Sequence, residues 1–453
     1  MYRFRSTANL LGQYKELETE TIFFAPPYKL NDPMEGYKNI LFYGDRILWG
    51  NLFKNYINAL LKTVLIFYVE QETPNLENEI AMYISKNLID APIYDLFKRI
   101  DEKILDMKVV QKILEYIDAK KSIKKVELQS FLYVIHPFAL KIVMDELNSV
   151  FSFEDLFGAR SKDLDEESLI NAIDNDLSLN SKDISLKNSL IQQQLLLLKS
   201  EDLFKAKLKK ELIGAKNFNL IEKEFSYYFM DALESLIAPR WFTACFMTDC
   251  SNSSLWGSYG NNHSGVCLEF NPDNDNTFVL HSIDSSISII PKDIKFELKL
   301  QEVKYNKNNK LAELDFFNFL IKIMQKKDYI KSQWFFDNEG HMSEYYKRFE
   351  ENQDDWTNAY NLMWKNITTT KDEVWKFENE YRLILNDYWD EYPMEGVTLK
   401  YDFKDLSGII FGINTSEIDK CKRQVLSSKK RNLFSSTFWQ IKSSTFGLYD
   451  PAE

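Results

Sequence analysis

Trp375-Lys376-Phe377-Glu378-Asn379-Glu380-Tyr381-Arg382-Leu383-Ile384 is the stretch on which the fold turns. Its period of two predicts a long strand, continuing to Asn386. One face would carry Trp375, Phe377, Asn379, Tyr381 and Leu383, and the other Lys376, Glu378, Glu380, Arg382 and Ile384. Two like-charged carboxylates on one strand face repel unless cations or ligand hydroxyls sit opposite. That marks Glu378 and Glu380 as candidate catalytic carboxylates and Arg382 as their orienting partner. A salt-bridged or solvated face is the plain alternative.

Strand-like sequence recurs on both sides of this stretch. Tyr2-Arg3-Phe4-Arg5 alternates, with Arg3 and Arg5 on one face, and Thr21-Ile22-Phe23-Phe24 reads as a second strand. Ser6 or Thr7 can cap a short helix through about Glu16. Further strands are expected at Trp241–Met247, Val266–Phe270, Thr277–Ile290, Ile294–Tyr305, Val397–Tyr401, Ile409–Phe411 and Phe438–Ile441. Helices are expected at Leu311–Lys326, Met342–Thr368 and from Thr415 or Ser416 to about Ser428.

Between Tyr37 and Ala238 the character is different. Val109, Ile113 and Ile117 mark a helical stripe, and Ile191–Lys199 and Leu203–Phe229 look like long amphipathic helices. Breaks are expected at Thr73-Pro74-Asn75, Ala91-Pro92, His136-Pro137 and the polar run Ser161–Ser181. No repeat of fixed period appears, so a helical solenoid is not supported. The simplest organisation is a discontinuous α+β core with a mixed or antiparallel sheet, residues 1–36 and 239–453. A large all-helical insertion, 37–238, would follow the Asn31-Asp32-Pro33 turn, where closure entropy grows slowly with length.

Composition narrows the function classes. The chain has 453 residues, 45% hydrophobic and 15% aromatic, which is ample core material and excludes disorder. Its formal charge of −12 argues against a generic nucleic-acid binder. Four cysteines are too few for a disulfide scaffold in a chain of this length. The opening MYRFRSTANL lacks the apolar core of a signal peptide. The apolar run Tyr56–Val69 is shorter than the ~20 residues a spanning helix needs and is interrupted by Lys62, so a buried helix in a cytoplasmic protein is expected. Only 14 glycines occur, and residues 51–157 contain none, which fits a helical body.

Three of those glycines cluster in Leu255-Trp256-Gly257-Ser258-Tyr259-Gly260-Asn261-Asn262-His263-Ser264-Gly265. Glycine allows tight turns and close approach of backbone to a ligand. Trp256, Ser258, Tyr259 and His263 could stack on and hydrogen-bond a flat ring; a helical turn with core aromatics is the even alternative. Neither G-x-G-x-x-G nor the P-loop pattern occurs. Arg3 and Arg5 offer planar forks for phosphate or carboxylate, against an edge strand paired with Glu. Cys245, Cys250, His263 and Cys267 lack a second short Cys pair, so small buried hydrophobes are expected rather than zinc, and no metal ligand is assigned.

The order of these pieces carries a resemblance. Tyr2-Arg3-Phe4-Arg5-Ser6, Ile22-Phe23-Phe24-Ala25-Pro26 with Leu30-Asn31-Asp32-Pro33, Cys245-Phe246-Met247-Thr248, Leu255 to Gly260 and Gly265 to Phe270 come in sequence. Val303-Lys304-Tyr305, Trp375 to Ile384 and Ile409-Ile410-Phe411-Gly412 complete the series. Together they resemble the bacterial family catalogued as domain of unknown function twenty-nine seventy-one, over roughly 1–36 and 239–450. The layout is more loosely similar to ADP-ribosyltransferases: a basic residue on the first strand, an aromatic and hydroxyl segment midway, and Glu-x-Glu on a late strand. The Ser-x-Ser pattern of the arginine-type enzymes is not clearly present, and Trp256-Gly257-Ser258-Tyr259 is a loose stand-in.

That likeness implies NAD as substrate rather than as a tightly bound cofactor. Arg3 or Arg5 would hold phosphate or ribose, Ser258 and Tyr259 would line the pocket, and Glu380 would be catalytic with Glu378 in support. The implied setting is an NAD-consuming effector in stress response, phage defence or toxin action. A non-catalytic module binding a nucleotide or small anion, with a protein partner on the helical insertion, is the second expectation. A nuclease-type effector is the third. Membrane and nucleic-acid partners are not expected.

Overall fold

The computed structural model describes residues 1–12, 14–70, 80, 91–151, 167, 170–171, 215–273, 275–283, 294–306, 313–324, 328–387, 392–417, 419 and 440–443. In chain order the strands are β1 (Tyr2–Arg5), β2 (Thr21–Phe24), β3 (Asn39–Phe42), β4 (Ile123–Lys124), β5 (Arg240–Met247), β6 (Val266–Phe270), β7 (Thr277–Ser282) and β8 (Lys295–Lys299). They continue as β9 (Gln301–Glu302), β10 (Lys304–Asn306), β11 (Glu313–Asp315), β12 (Thr370–Asp372), β13 (Glu380–Asp387), β14 (Val397–Tyr401), β15 (Leu406–Phe411) and β16 (Gln440–Ser443). Helix and mostly antiparallel sheet coexist, so the class is α+β.

The chain divides into two compact units. The first comprises Met1–Lys38, Pro239–Ala312 and Asn361–Glu453, and the second Asn39–Ala238 and Glu313–Tyr360. Residues 313–360, expected in the core domain, cluster instead with the helical unit.

The first unit is built on a seven-stranded sheet of order β16-β15-β6-β1-β5-β13-β9, antiparallel except where β16 joins β15. A four-stranded antiparallel sheet, β2-β14-β7-β8, lies against it. Ala25, just past β2, exchanges two backbone hydrogen bonds with Thr243 of β5 at 2.9 and 2.8 Å and ties the two sheets. Alternation decides what lies between them. Ile22, Phe24, Phe278, Leu280, Leu399 and Tyr401 come from the smaller sheet, and Phe242, Phe246, Leu268, Phe270, Leu383 and Phe411 from the larger; all are buried in one cluster. Phe246 and Phe270 meet edge to face at 5.8 Å. Each such side chain stabilises the unit by about 1.5–3 kcal/mol through burial.

The opposite face of the large sheet carries a smaller cluster of Phe4, Met247, Leu255, Trp256, Cys267 and Ile410. By the same alternation it carries Cys245, Glu380 and Arg382.

The second unit is mostly helical, with a three-stranded sheet β11-β3-β4. Its longest helices are Arg46–Glu70, Lys125–Phe151 and Ala215–Ile237. Tyr56, Ile57, Leu60, Leu61 and Val64 are buried, so the apolar run that stood out in the sequence is a core helix. Lys125–Val150 is the one helix among the described residues long and apolar enough to cross a membrane; its Leu128, Leu132, Ile135, Ala139, Val143 and Leu147 are fully buried.

Several expectations are corrected. Pro137 does not end a helix but sits inside Lys125–Phe151. An interior proline costs about 3 kcal/mol. Here the buried stripe and the two hydrogen bonds of His136, to Tyr56 Oη at 2.7 Å and Ile221 O at 2.8 Å, hold both sides of it. The helix expected at 311–326 is a short strand, β11, followed by Phe316–Met324, and that at 342–368 is two helices parted at Asn352. Asn352 caps the first of these in a non-helical conformation, with its backbone N–H bonded to Phe349 O at 3.1 Å. The helix expected from Ser6 to Glu16 is two short ones, Thr7–Leu11 and Glu16–Thr19. The expectations at 73–75, 161–166, 172–181, 191–199, 203–214, 284–290 and 420–428 lie outside the described residues.

The deciding stretch is itself corrected. Trp375 to Glu378 is not strand: Glu373–Glu378 forms a 3₁₀ turn, capped by the Asp372 side chain at Val374 N, and strand geometry begins at Glu380. Asn379 links the two at φ 42°, a left-handed conformation that asparagine tolerates better than most residues.

Candidate functional site

Four of the sequence candidates converge on one buried group in the first unit. Glu380 and Arg382 stand on β13. Glu378 arrives from the end of the 3₁₀ turn, so it reaches the same place by a different geometry from the one its spacing suggested. Tyr259 follows the helix Ser253–Ser258, whose start is capped by the Asn252 side chain at Ser254 N, 2.9 Å.

Three residues that the sequence reading passed over complete the group. Lys371 comes from β12 and Tyr305 from β10, which pair in parallel. Glu35 is supplied by the Asn31-Asp32-Pro33 turn. Asp32 closes that turn through Met34 N (2.9 Å, to its side chain) and Glu35 N (3.0 Å, to its carbonyl). Gly36 then turns the chain at φ 73°, where a Cβ would stand 2.8 Å from Pro27 Cβ.

The guanidinium of Arg382 is the centre of the group. Nε and Nη2 donate to Glu380 Oε1 and Oε2 at 2.8 and 3.0 Å. Nη1 and Nη2 donate to Glu35 Oε1 and Oε2 at 2.6 and 3.0 Å, and Nη1 also reaches Thr368 O at 2.8 Å. All five N–H donors of the fork are therefore used, four of them on two carboxylates. Lys371 Nζ lies 2.7 Å from Glu378, 3.3 Å from Glu380 and 4.0 Å from Glu35. Tyr259 Oη donates to the other oxygen of Glu378, and Tyr305 Oη accepts from Glu380 N at 2.9 Å. The charged side chains are 0–4% exposed. Three carboxyls thus face two cations out of water.

Burial raises every carboxyl here, and the cations decide the rest. For Glu380 the charge and hydrogen bonds of Arg382, helped by Lys371, outweigh burial and hold the group well below the ordinary carboxylate range. For Glu378 burial wins over Lys371 and Tyr259, and the group is raised. Glu35 is raised as well, with burial ahead of Arg382. Burial followed by the Glu378 and Glu380 charges pushes the Tyr259 hydroxyl far up, so it is a donor. Two glutamates two residues apart therefore sit on opposite sides of their usual range.

The remaining sequence candidates do not join them. Arg3 pairs opposite Leu268 in β6, on the main-core face of the sheet. Its guanidinium donates to Phe23 O at 2.8 Å and Cys245 O at 3.2 Å, and lies 5.5 Å from the centre of the core-facing Phe246 ring. Arg5, on the same face, pairs with Glu16, Nε to Oε2 at 2.7 Å. Glu380 and Arg382 point to the other face, so both arginines are separated from the carboxylate pair by the sheet itself. They satisfy carbonyls and a local glutamate instead of an anion. Trp256 is a core residue: its Nε1 donates to Cys250 O at 2.7 Å and Phe4 meets it edge-on at 5.0 Å. Ser258 is exposed. His263, at φ 66°, is a turn residue whose N–H donates to Trp256 O (3.1 Å) and whose carbonyl accepts from Asn414 N (2.9 Å). Gly412 is required beside it, since a Cβ there would lie 2.1 Å from His263 O.

Among the described residues, Asp337, Glu339 and His341 are the one group whose ligand atoms lie within 4.8 Å of one another. The Asp337 carboxylate accepts from Glu339 N, His341 N and His341 Nδ1 at 2.8–2.9 Å. It closes the turn between the bridged residues Phe336 and Met342.

Residues 255–383 match a family model described as "Protein of unknown function (DUF2971)". The matched segment holds Tyr259, Tyr305, Lys371, Glu378, Glu380 and Arg382; Glu35 lies outside it. No curated protein and no solved structure matches the chain. The DUF2971 match thus covers most of the charged group but brings no activity with it, and the likeness to ADP-ribosyltransferases gains no support from these comparisons.

Proposed function

We propose that Tyr259, Lys371, Glu378 and Glu380 form the reactive end of a site that takes a nucleotide, with NAD as the substrate to test first. The observation that supports this reading is the split pair: Glu378 and Glu380 share Lys371 Nζ at 2.7 and 3.3 Å yet are shifted in opposite directions. Carboxyls pushed apart in this way are suited to separate proton-holding and charge-stabilising roles. In transfer of a ribosyl group, the bond from the anomeric carbon to nicotinamide breaks and the neutral base leaves with the electron pair. The fixed negative charge of Glu380 would stabilise the cationic carbon. Glu378, a stronger base than an ordinary carboxylate, would take the proton of the incoming acceptor as the new bond forms. Arg382 and Glu35 would orient Glu380 without touching substrate. Arg3 and Arg5 have no part in this chemistry.

The test is nicotinamide release from NAD by purified protein, compared with Glu380→Gln and Glu378→Gln. Release by the wild type that falls at least about 100-fold in both variants supports the reading. Equal release from all three, or none from the wild type with acceptors supplied, contradicts it. A bacterial cytoplasmic setting in stress response, phage defence or toxin action, with a protein partner on the helical unit, belongs to the same proposal and rests on likeness alone.

One observation favours a second reading, a non-catalytic recognition module. Each oxygen of Glu35, Glu378 and Glu380 already accepts from a side chain of the protein. A melting temperature raised by NAD or ADP-ribose without turnover would select it.

A further inference from the structure

The carboxylate pair is buried, so any ligand must reach it through something that moves. Glu373–Glu378 is the segment whose structure fits that role. It begins at Asp372, where strand geometry ends, and finishes at Asn379 in the left-handed region, φ 42° and ψ 54°. Both ends are places where backbone torsions change within one residue, as hinges require. In between, the turn buries little. Val374 is 72% exposed and Phe377 38%, against 1% for Glu378. The segment is thus an exposed turn with one buried end.

The ties at its C-terminal end are polar. On the outer side Asn252 Nδ2 donates to Phe377 O at 3.1 Å. On the inner side Glu378 accepts from Tyr259 and Lys371, and the Trp375 ring lies over Lys371 Nζ at 4.7 Å. The neighbouring β13, by contrast, pairs with β5 over eight residues, Glu380 to Asp387. The two adjoining pieces of chain therefore differ sharply in how they are held.

We propose that Glu373–Glu378 is a strap that swings about Asp372 and Asn379, carrying Glu378 away from Tyr259 and uncovering Lys371 on β12 and Glu380 on β13, which stay in place. This rests on the reading of the charged group as a ligand site, but its test reads the strap itself and needs no ligand. Failure of nicotinamide release would leave the strap result intact, and the reverse also holds. Opening breaks polar contacts and the Trp375–Lys371 stack while leaving the main core untouched, because that core lies on the other face of the sheet.

Hydrogen–deuterium exchange followed by mass spectrometry on the full chain tests it, comparing peptides over 373–379 and 380–387. Local opening of this kind exchanges on its own, at least about tenfold faster than the core strand. Two variants each cut one tie: Tyr259→Phe removes the inner hydrogen bond, and Asn252→Asp removes the outer donor while keeping the helix cap. Each is expected to speed exchange over 373–379 several-fold and leave 380–387 unchanged. Exchange over 373–379 as slow as over 380–387, or faster exchange of both peptides together in the variants, overturns the proposal.

Discussion

Arg382 grips Glu380 two residues back along the same strand, Nε to Oε1 at 2.8 Å and Nη2 to Oε2 at 3.0 Å. The pair is buried, and the same guanidinium carries Glu35 on its other side. Removing the cation would leave two carboxylates out of water with only Lys371 nearby. Breaking a buried pair in this way costs about 3–5 kcal/mol. Arg382→Met should therefore lower stability by that amount in denaturant melts, and Arg382→Lys should recover only part of it, since a single ammonium cannot span both carboxylates.

Glu378 and Glu380 should respond oppositely to neutralisation. Glu380 is held below its ordinary range, so its contribution to stability is present above the unfolded-state value near 4.5 and is lost as pH falls through the folded one. Glu378 is raised, so its ionisation works against the fold, and that cost appears as pH rises through the folded value. At pH 8, Glu380→Gln should destabilise by about 3 kcal/mol, while Glu378→Gln, which keeps an acceptor for Tyr259, should be neutral or stabilising. Thermal melts of the two variants at that pH check the contrast.

His136 predicts an acid-sensitive helical unit. Burial lowers its pKa from 6.5 to about 4, and the backbone hydrogen bonds at Ile221 and Glu222 do not compensate. The unfolded chain takes up the proton first, so stability is full above pH 6.5 and falls as pH drops toward 4. The loss across that window is roughly 3 kcal/mol. Melting temperature against pH should flatten over this range in His136→Gln.

Gly36→Ala should cost about 1–2 kcal/mol from the left-handed backbone alone, before the contact with Pro27 is counted. The substitution also displaces Glu35, its chain neighbour. Equilibrium unfolding checks the first part. The second part should appear as a pH-dependent loss that is absent when Glu35 is already glutamine.

Much of the fold was legible because alternation and helical periodicity report directly on buried faces. The strands expected at Trp241–Met247, Val266–Phe270 and Val397–Tyr401 are found at Arg240–Met247, Val266–Phe270 and Val397–Tyr401, and the last of these alternates buried and exposed residues while the first two are mostly apolar runs buried on both faces. The carboxylate group was legible in part. Glu380 and Arg382 share a face because strand parity places them there. Glu378 joined them for a reason parity does not contain, the 3₁₀ turn and the left-handed Asn379. Arg3 was misplaced because two arginines on one face say nothing about which side of the sheet they take; the registers of β1 with β6 and of β13 with β5 decide that. Glu35 was missed because its partner Arg382 is 347 residues away in sequence, and Lys371, only seven residues from Glu378, because it stands on a separate short strand, β12, whose pairing with β10 no local pattern marks. The turn at Asp32-Pro33 and the tyrosine at Val303-Lys304-Tyr305 were the only local signs of them.

Glu378 and Glu380, sharing one lysine, are split in their hold on a proton. Carbon-13 NMR of the glutamate side-chain carboxyls, titrated from pH 8 to pH 4 and assigned with Glu378→Gln and Glu380→Gln, tests it most directly. The Glu378 signal is expected to shift at a pH above the ordinary glutamate value, while the Glu380 signal stays ionised throughout. Both signals titrating together near the ordinary value would contradict it.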